Sequence, residues 1–169
     1  MRLVLVSLVV GSLSLLPTGC DQATKTALGP SAEGSAYRLD QAPEGAKDVK
    51  QVRLEAKDGD DVVVEGRIGG EANPWVEGQA AFLVVDSSLK PCASDEGCKT
   101  PWDYCCDTDL LPASKAMVKI VDKHGKTVAT DAKTLLGVKE LQTVVAKGKA
   151  HRDDAGNLTI LADGIFVRN

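Results

Sequence analysis

From residue 48 onward the chain alternates apolar and polar positions in short blocks separated by turn-forming residues. Val52, Leu54 and Ala56 alternate with Gln51, Arg53 and Glu55, and Asp58-Gly59-Asp60 follows as a turn. Alternation with a period of two puts apolar side chains on one face of a strand, so a strand is expected here. Val62, Val64 and Ile68 share a face of the next strand, with Gly66 in register between them. Ala80 to Val85 is continuously apolar, as in a strand covered on both sides. Ala116, Val118 and Ile120 predict another strand, which runs into the turn Asp122-Lys123-His124-Gly125, with Val128 on a short return. Asp131 can cap a helix over Ala132 to Leu136, and Gly137 can end it. Val144, Ala146, Gly148 and Ala150 form one face of a further strand. After the turn Asp153-Asp154-Ala155-Gly156-Asn157, Leu158 to Val167 is the last strand, interrupted by Asp163-Gly164.

The N-terminal segment follows a different pattern. Arg2 supplies a positive start, Leu3 to Leu16 is apolar apart from three serines and Gly11, and Pro17-Thr18-Gly19-Cys20 follows. A positive start, a short apolar run and small residues at a cut describe a secretory signal over residues 1–19. Ending on a cysteine, it resembles the lipobox of bacterial lipoproteins, although Leu16 stands four residues before Cys20 and Pro17 takes the place usual for the leucine. The resemblance implies lipidation at Cys20, a membrane anchor through that lipid, and a mature domain held at the cell membrane or outer membrane, in the periplasm or outside the cell. Cleavage by an ordinary signal peptidase and an uncleaved anchor are the alternatives.

Residues 20–47 are rich in Ala, Gly, Ser, Pro, Thr and Gln, with Leu28, Tyr37 and Leu39 as the only large apolar side chains. Such a composition buries too little surface to offset ordering entropy, so a flexible tether between lipid and domain is expected. As a coil its r.m.s. reach would be about 30 Å.

The strand layout from 48 to 169 resembles an OB-fold, an all-β five-strand barrel with a short helix between its third and fourth strands. The resemblance rests on Val62-Val63-Val64-Glu65-Gly66-Arg67-Ile68 as a first strand able to bend at its glycine. It rests also on the helix at 131–137 and on the closing segments 144–150, 156–162 and 165–167. Another small barrel or sandwich is the competing architecture. OB-folds commonly bind oligonucleotides or oligosaccharides through stacking aromatics and positive charge.

Composition argues against part of that inheritance. The chain of 169 residues has a net charge of −4 and only 4% aromatics. An acidic domain does not displace counterions from phosphates, so nucleic acid is not an expected partner. Fold alone assigns no ligand. An envelope protein, a glycan or a small ligand is the expected partner class.

The distinctive stretch is an insertion over residues 87–114, between the second and third barrel strands. It carries Cys92, Cys98, Cys105 and Cys106 in the spacing C-x5-C-x6-C-C. In an oxidising compartment an even number of cysteines reads first as disulfides. A vicinal bridge between Cys105 and Cys106 is strained, so each is expected to bond back to Cys92 or Cys98. The second reading is a thiolate metal site for zinc, copper(I) or an iron–sulfur cluster, joined by Asp103, Asp107, His124 or His151. Against it stand the lack of a C-x2-C pair and the difficulty of chelating one ion through adjacent cysteines. A thiol-redox role is the third reading, without the C-x-x-C of thioredoxin-like sites. Within the insertion, Trp102 and Tyr104 either pack as a small local core or form a contact surface for sugar or peptide.

No catalytic constellation is legible. His124 and His151 have no nucleophile context such as G-x-S-x-G nearby. Asp60-Asp61 and Asp153-Asp154 fall in turns, and Gly69-Gly70 ends a strand without opening a helix, so it cradles no phosphate. The sequence therefore reads as a non-enzymatic binding or interaction module, with a cysteine-based metal-binding or redox protein as the alternative.

Overall fold

The computed structural model describes residues 29–93 and 97–168. The signal segment at 1–19 and the lipidation position Cys20 lie outside the described residues. The described chain is mostly sheet: a six-stranded mixed sheet in the order β1-β2-β3-β4-β6-β5, with a further pairing of β2 to β5. The strands are β1 (Lys47–Asp48), β2 (Asp61–Ile68), β3 (Ala81–Val85), β4 (Lys115–Ile120), β5 (Thr143–Arg152) and β6 (Leu158–Val167). Three short helices join them: α1 (Val49–Glu55), α2 (Leu111–Ser114) and α3 (Ala132–Leu136). None of the described helices is long and apolar enough to cross a membrane.

The strands from β2 onward follow the hydrophobic pattern. Val64 and Ile68 of β2, Phe82 and Val84 of β3, Val118 and Ile120 of β4, and Ile160 and Ile165 of β6 are buried in one core, together with Leu135 and Leu136 of α3. β3 is buried at four of its five positions, as its unbroken apolar run predicts. Gly137 ends α3 in the left-handed conformation at φ 65°, where glycine carries no Cβ penalty. The side chain of Asp131 does not cap that helix; it accepts instead from the backbone N–H of Gly78 at 2.8 Å.

β6 runs on through Asp163-Gly164, where an interruption was expected. The register shifts there, with Lys147 opposite Gly164 and Gly148 opposite Ala162, so Asp163 is the extra residue of a bulge. A Cβ on Gly148 would lie 2.1 Å from the Leu161 carbonyl oxygen, which is why the bulge needs a glycine across from it.

Two sequence expectations are corrected. The segment expected as a strand through Val52, Leu54 and Ala56 is the helix α1. Val49 and Val52, three residues apart, are its buried pair, whereas Leu54 is 87% exposed. The helix packs its Val49 against Gly66, where a Cβ would stand 3.0 Å from the Val49 side chain. Its first turn is capped from outside: Asp86, at the end of β3, accepts from Lys50 N–H at 2.7 Å.

The second correction concerns the tether. Its residues 29–47 lie against the sheet. Leu39 N–H donates to Ile165 at 2.9 Å, and Ile165 N–H donates back to Tyr37 at 2.7 Å. Ser31 N–H donates to Leu135, and Arg38 reaches the Leu136 carbonyl at 2.7 Å. Tyr37 packs on the main core, and the Leu39 side chain fills the space over Gly164. Backbone pairing to β6 and two well-placed apolar side chains order a segment whose composition predicted a coil.

Candidate metal centre

The insertion leaves the sheet at the end of β3 and returns through α2 into β4. It has a core of its own: Val85, Leu89, Tyr104 and Leu111 are buried together. Tyr104 is fully buried, so it offers no contact surface. Burial raises its phenol pKa, partly offset by Arg67, whose Nη1 lies 3.4 Å from the hydroxyl. The same Nη1 donates to the Leu89 carbonyl at 3.1 Å, so one guanidinium from β2 holds both arms of the insertion. Trp102 is half-buried and donates its indole N–H to the Ala72 carbonyl at 3.1 Å.

Gly69 and Gly70 give the insertion its seat. Gly70 N–H donates to the Trp102 carbonyl at 2.7 Å. A Cβ on Gly69 would lie 2.5 Å from that same oxygen. The glycine pair that cradles no phosphate thus lets two backbones approach.

On this seat the four cysteines converge. Cys92 is buried, Cys98 half-buried, and Cys105 and Cys106 exposed, and their four sulfurs all lie within 4.8 Å of one another. Cys98 and Cys105 are 2.8 Å apart and Cys92 and Cys105 3.5 Å apart. No disulfide joins any of the four sulfurs. The two bridges expected from the sequence are replaced here by a single cluster.

Local hydrogen bonds shape that cluster. Cys92 N–H donates to the Pro101 carbonyl at 3.0 Å, which ties the first cysteine to the short 3-10 turn Pro101–Asp103. Asp103 accepts from Cys105 N–H at 2.9 Å and from the Thr100 hydroxyl. Tyr104 then adopts a left-handed conformation at φ 57°. That reversal buries the phenol on one side and sends Cys105 and Cys106 into the following turn on the other. Adjacent cysteines can therefore both face one point, contrary to the expectation from their spacing.

The thiols influence one another strongly. Burial raises the Cys92 thiol, but hydrogen bonds from Cys105 and from the backbone of Cys106 outweigh it and hold its pKa below the ordinary thiol value. Hydrogen bonding to Cys105 and Cys92 pushes Cys98 well above that value. Asp103 is held low by the hydrogen bond from Thr100.

No protein-family model matches the chain, and no curated protein matches it either. The cluster must be read from its own chemistry.

Four sulfurs around one point are a soft donor set. A zinc ion with four thiolates at about 2.3 Å has sulfur–sulfur edges of about 3.8 Å; Cys98–Cys105 at 2.8 Å and Cys92–Cys105 at 3.5 Å are shorter than that, and no separation among the four exceeds 4.8 Å. His124 and His151 are not part of the group. His151 faces Asp58 at 3.0 Å instead, and His124 donates its backbone N–H to Asp122. Asp103 is near the cluster, with an oxygen 3.9 Å from Cys92 Sγ, but it serves the backbone of Cys105. Asp107 donates its N–H to the Tyr104 carbonyl and helps close the turn. Sequence reading missed Arg67, Leu89, Asp86 and the glycine pair as supports. Of these, only Gly69-Gly70 left a signal, two adjacent glycines directly after a strand.

Proposed function

We propose that the protein is a lipid-anchored module of the bacterial cell envelope whose OB-like domain carries a tetrathiolate metal centre. The convergence of all four insertion sulfurs within 4.8 Å carries the metal reading. Tetrahedral coordination by four thiolates selects zinc or iron among common ions. The role is structural: the ion ties Cys92 and Cys98 to Cys105 and Cys106 across an insertion that shares only a four-residue apolar cluster with β3. A small apolar cluster of that size contributes little alone, and metal binding supplies folding energy directly.

The OB-like barrel is supported by the pairing of β2 with both β3 and β5, which links the strands in the ring β2-β3-β4-β6-β5-β2. The anchor is supported by the run from Leu3 to Leu16 and the Gly19-Cys20 junction. The partner is an envelope protein, a glycan or a small ligand met at the membrane surface, not a nucleic acid. Trp102, half-buried at the edge of the insertion, is one aromatic available to such a contact.

Elemental analysis with thiol counting, on protein purified without chelator, tests the centre. About one zinc or iron per chain and four thiols freed by denaturation in chelator are expected. Two disulfides and no metal would establish the bridged insertion instead.

A further inference from the structure

We infer that the centre is a redox-released one, in which oxidation joins Cys98 to Cys105 first and ejects the ion. The inference rests on the metal-centre reading and adds its regulation. Two observations carry it, and the proposed export supplies the setting. Cys105 is exposed, so an oxidant reaches its sulfur before that of buried Cys92. Cys98 Sγ stands 2.8 Å from Cys105 Sγ, nearer than Cys92 Sγ at 3.5 Å. The oxidising compartment implied by the export signal supplies the pressure to form the bond.

The chemistry balances with a peroxide as oxidant. The Cys105 thiolate attacks one peroxide oxygen, gives a sulfenic acid and releases hydroxide. The Cys98 thiolate then attacks the Cys105 sulfur, forms the S–S bond and expels a second hydroxide. Two protons from solvent convert both hydroxides to water. In sum, two thiolates, one peroxide and two protons give one disulfide and two waters. Two of the four ligands are consumed, and Cys92 and Cys106 alone hold the ion too weakly against water. They remain as the pair for a second bridge.

Thiolate access and the geometry of attack set the order of exchange. Cys105 is the shared neighbour of both Cys92 and Cys98, so removing the nearer partner should redirect the bond to the farther one.

The test uses the full-length protein in detergent, reduced and then loaded with zinc alone. It is treated with hydrogen peroxide in steps. Zinc release is followed with a chromogenic chelator, and bridges are mapped by mass spectrometry after alkylation. About one zinc released per disulfide formed is expected, with Cys98 and Cys105 joined and Cys92 and Cys106 alkylated. In zinc-free Cys98→Ser, the first bridge should move to Cys92 and Cys105. A first bridge elsewhere in the parent chain, or zinc retained after the first bridge, overturns the inference. A reduced chain that takes up no zinc overturns the metal centre itself, and the map on the zinc-free chain then decides the pairing separately.

Discussion

Gly70 donates its backbone N–H to the carbonyl of Trp102 at 2.7 Å, which fixes the cysteine insertion directly to the chain leaving β2. The contact is possible because neither Gly69 nor Gly70 carries a side chain. On Gly69 a Cβ would stand 2.5 Å from the Trp102 oxygen, and on Gly70 it would stand 2.8 Å from the Val85 side chain. Gly70 also sits at φ 98°, which L side chains rarely adopt. Metal affinity should therefore depend on two residues that hold no ligand atom.

Gly69→Ala should weaken zinc binding by about tenfold or more, since displacing the seat costs about 1–3 kcal/mol of local strain. The main core shares none of its buried residues with the insertion's cluster, so the unfolding transition of the sheet should shift little. Competition with a zinc chelator reads the first effect and thermal unfolding the second. Unchanged affinity would show that the insertion holds the ion without its seat.

Asp86 predicts an acid-sensitive step. It is buried, and it accepts from Lys50 N–H at 2.7 Å and from the Ser88 N–H and hydroxyl at 3.0 and 2.6 Å. Burial raises its pKa, but these hydrogen bonds outweigh burial and hold it below the ordinary value. A carboxylate with a depressed folded-state pKa stabilises the fold above its unfolded value, near 3.9 for Asp, and that stabilisation is lost as pH falls through the folded value. Asp86→Asn should be less stable at neutral pH by about 1–3 kcal/mol. Its stability should also fall less steeply below about pH 4. Denaturant unfolding at a series of pH values checks both; equal acid slopes in the two proteins would remove Asp86 from the account.

Much of this was legible in the pattern of residues, and the failures share a cause. The five strands from β2 onward and the helix ended by Gly137 followed from local periodicity, because each buries a face set by its own sequence. The segment around Val52 misled because Val52, Leu54 and Ala56 fit a strand period, while the buried spacing was Val49 to Val52. The helix's first turn is also held by Asp86, more than thirty residues away, a partner the local pattern does not record. The stretch from 29 to 47 misled because its order comes from Ile165, Leu135 and Leu136, and composition carries no record of partners that distant. The four cysteines were legible as a set, but their convergence depends on the left-handed turn at Tyr104, which the adjacent Cys105-Cys106 pair concealed.

Removing residues 29–46 tests that ordered segment. A free tether could be deleted at no cost. The packed one should cost about 2 kcal/mol or more, because the Leu39 and Arg38 hydrogen bonds and the burial of Tyr37 go together. A transition midpoint unchanged by the deletion would contradict the packing.

The anchor is tested at Cys20. Cys20→Ser should release the protein from the membrane fraction or leave it uncleaved, whereas the parent is processed and sediments with membranes. A variant that remains both processed and membrane-bound would contradict lipidation at this residue.

The central claim is that four cysteines hold one ion. X-ray absorption at the zinc edge of the zinc-loaded protein reads this directly. The account predicts a first shell of four sulfurs at about 2.3 Å, losing one sulfur in each of the single Cys→Ser variants at 92, 98, 105 and 106. A first shell dominated by oxygen or nitrogen, or a shell indifferent to any one of the four substitutions, would contradict it.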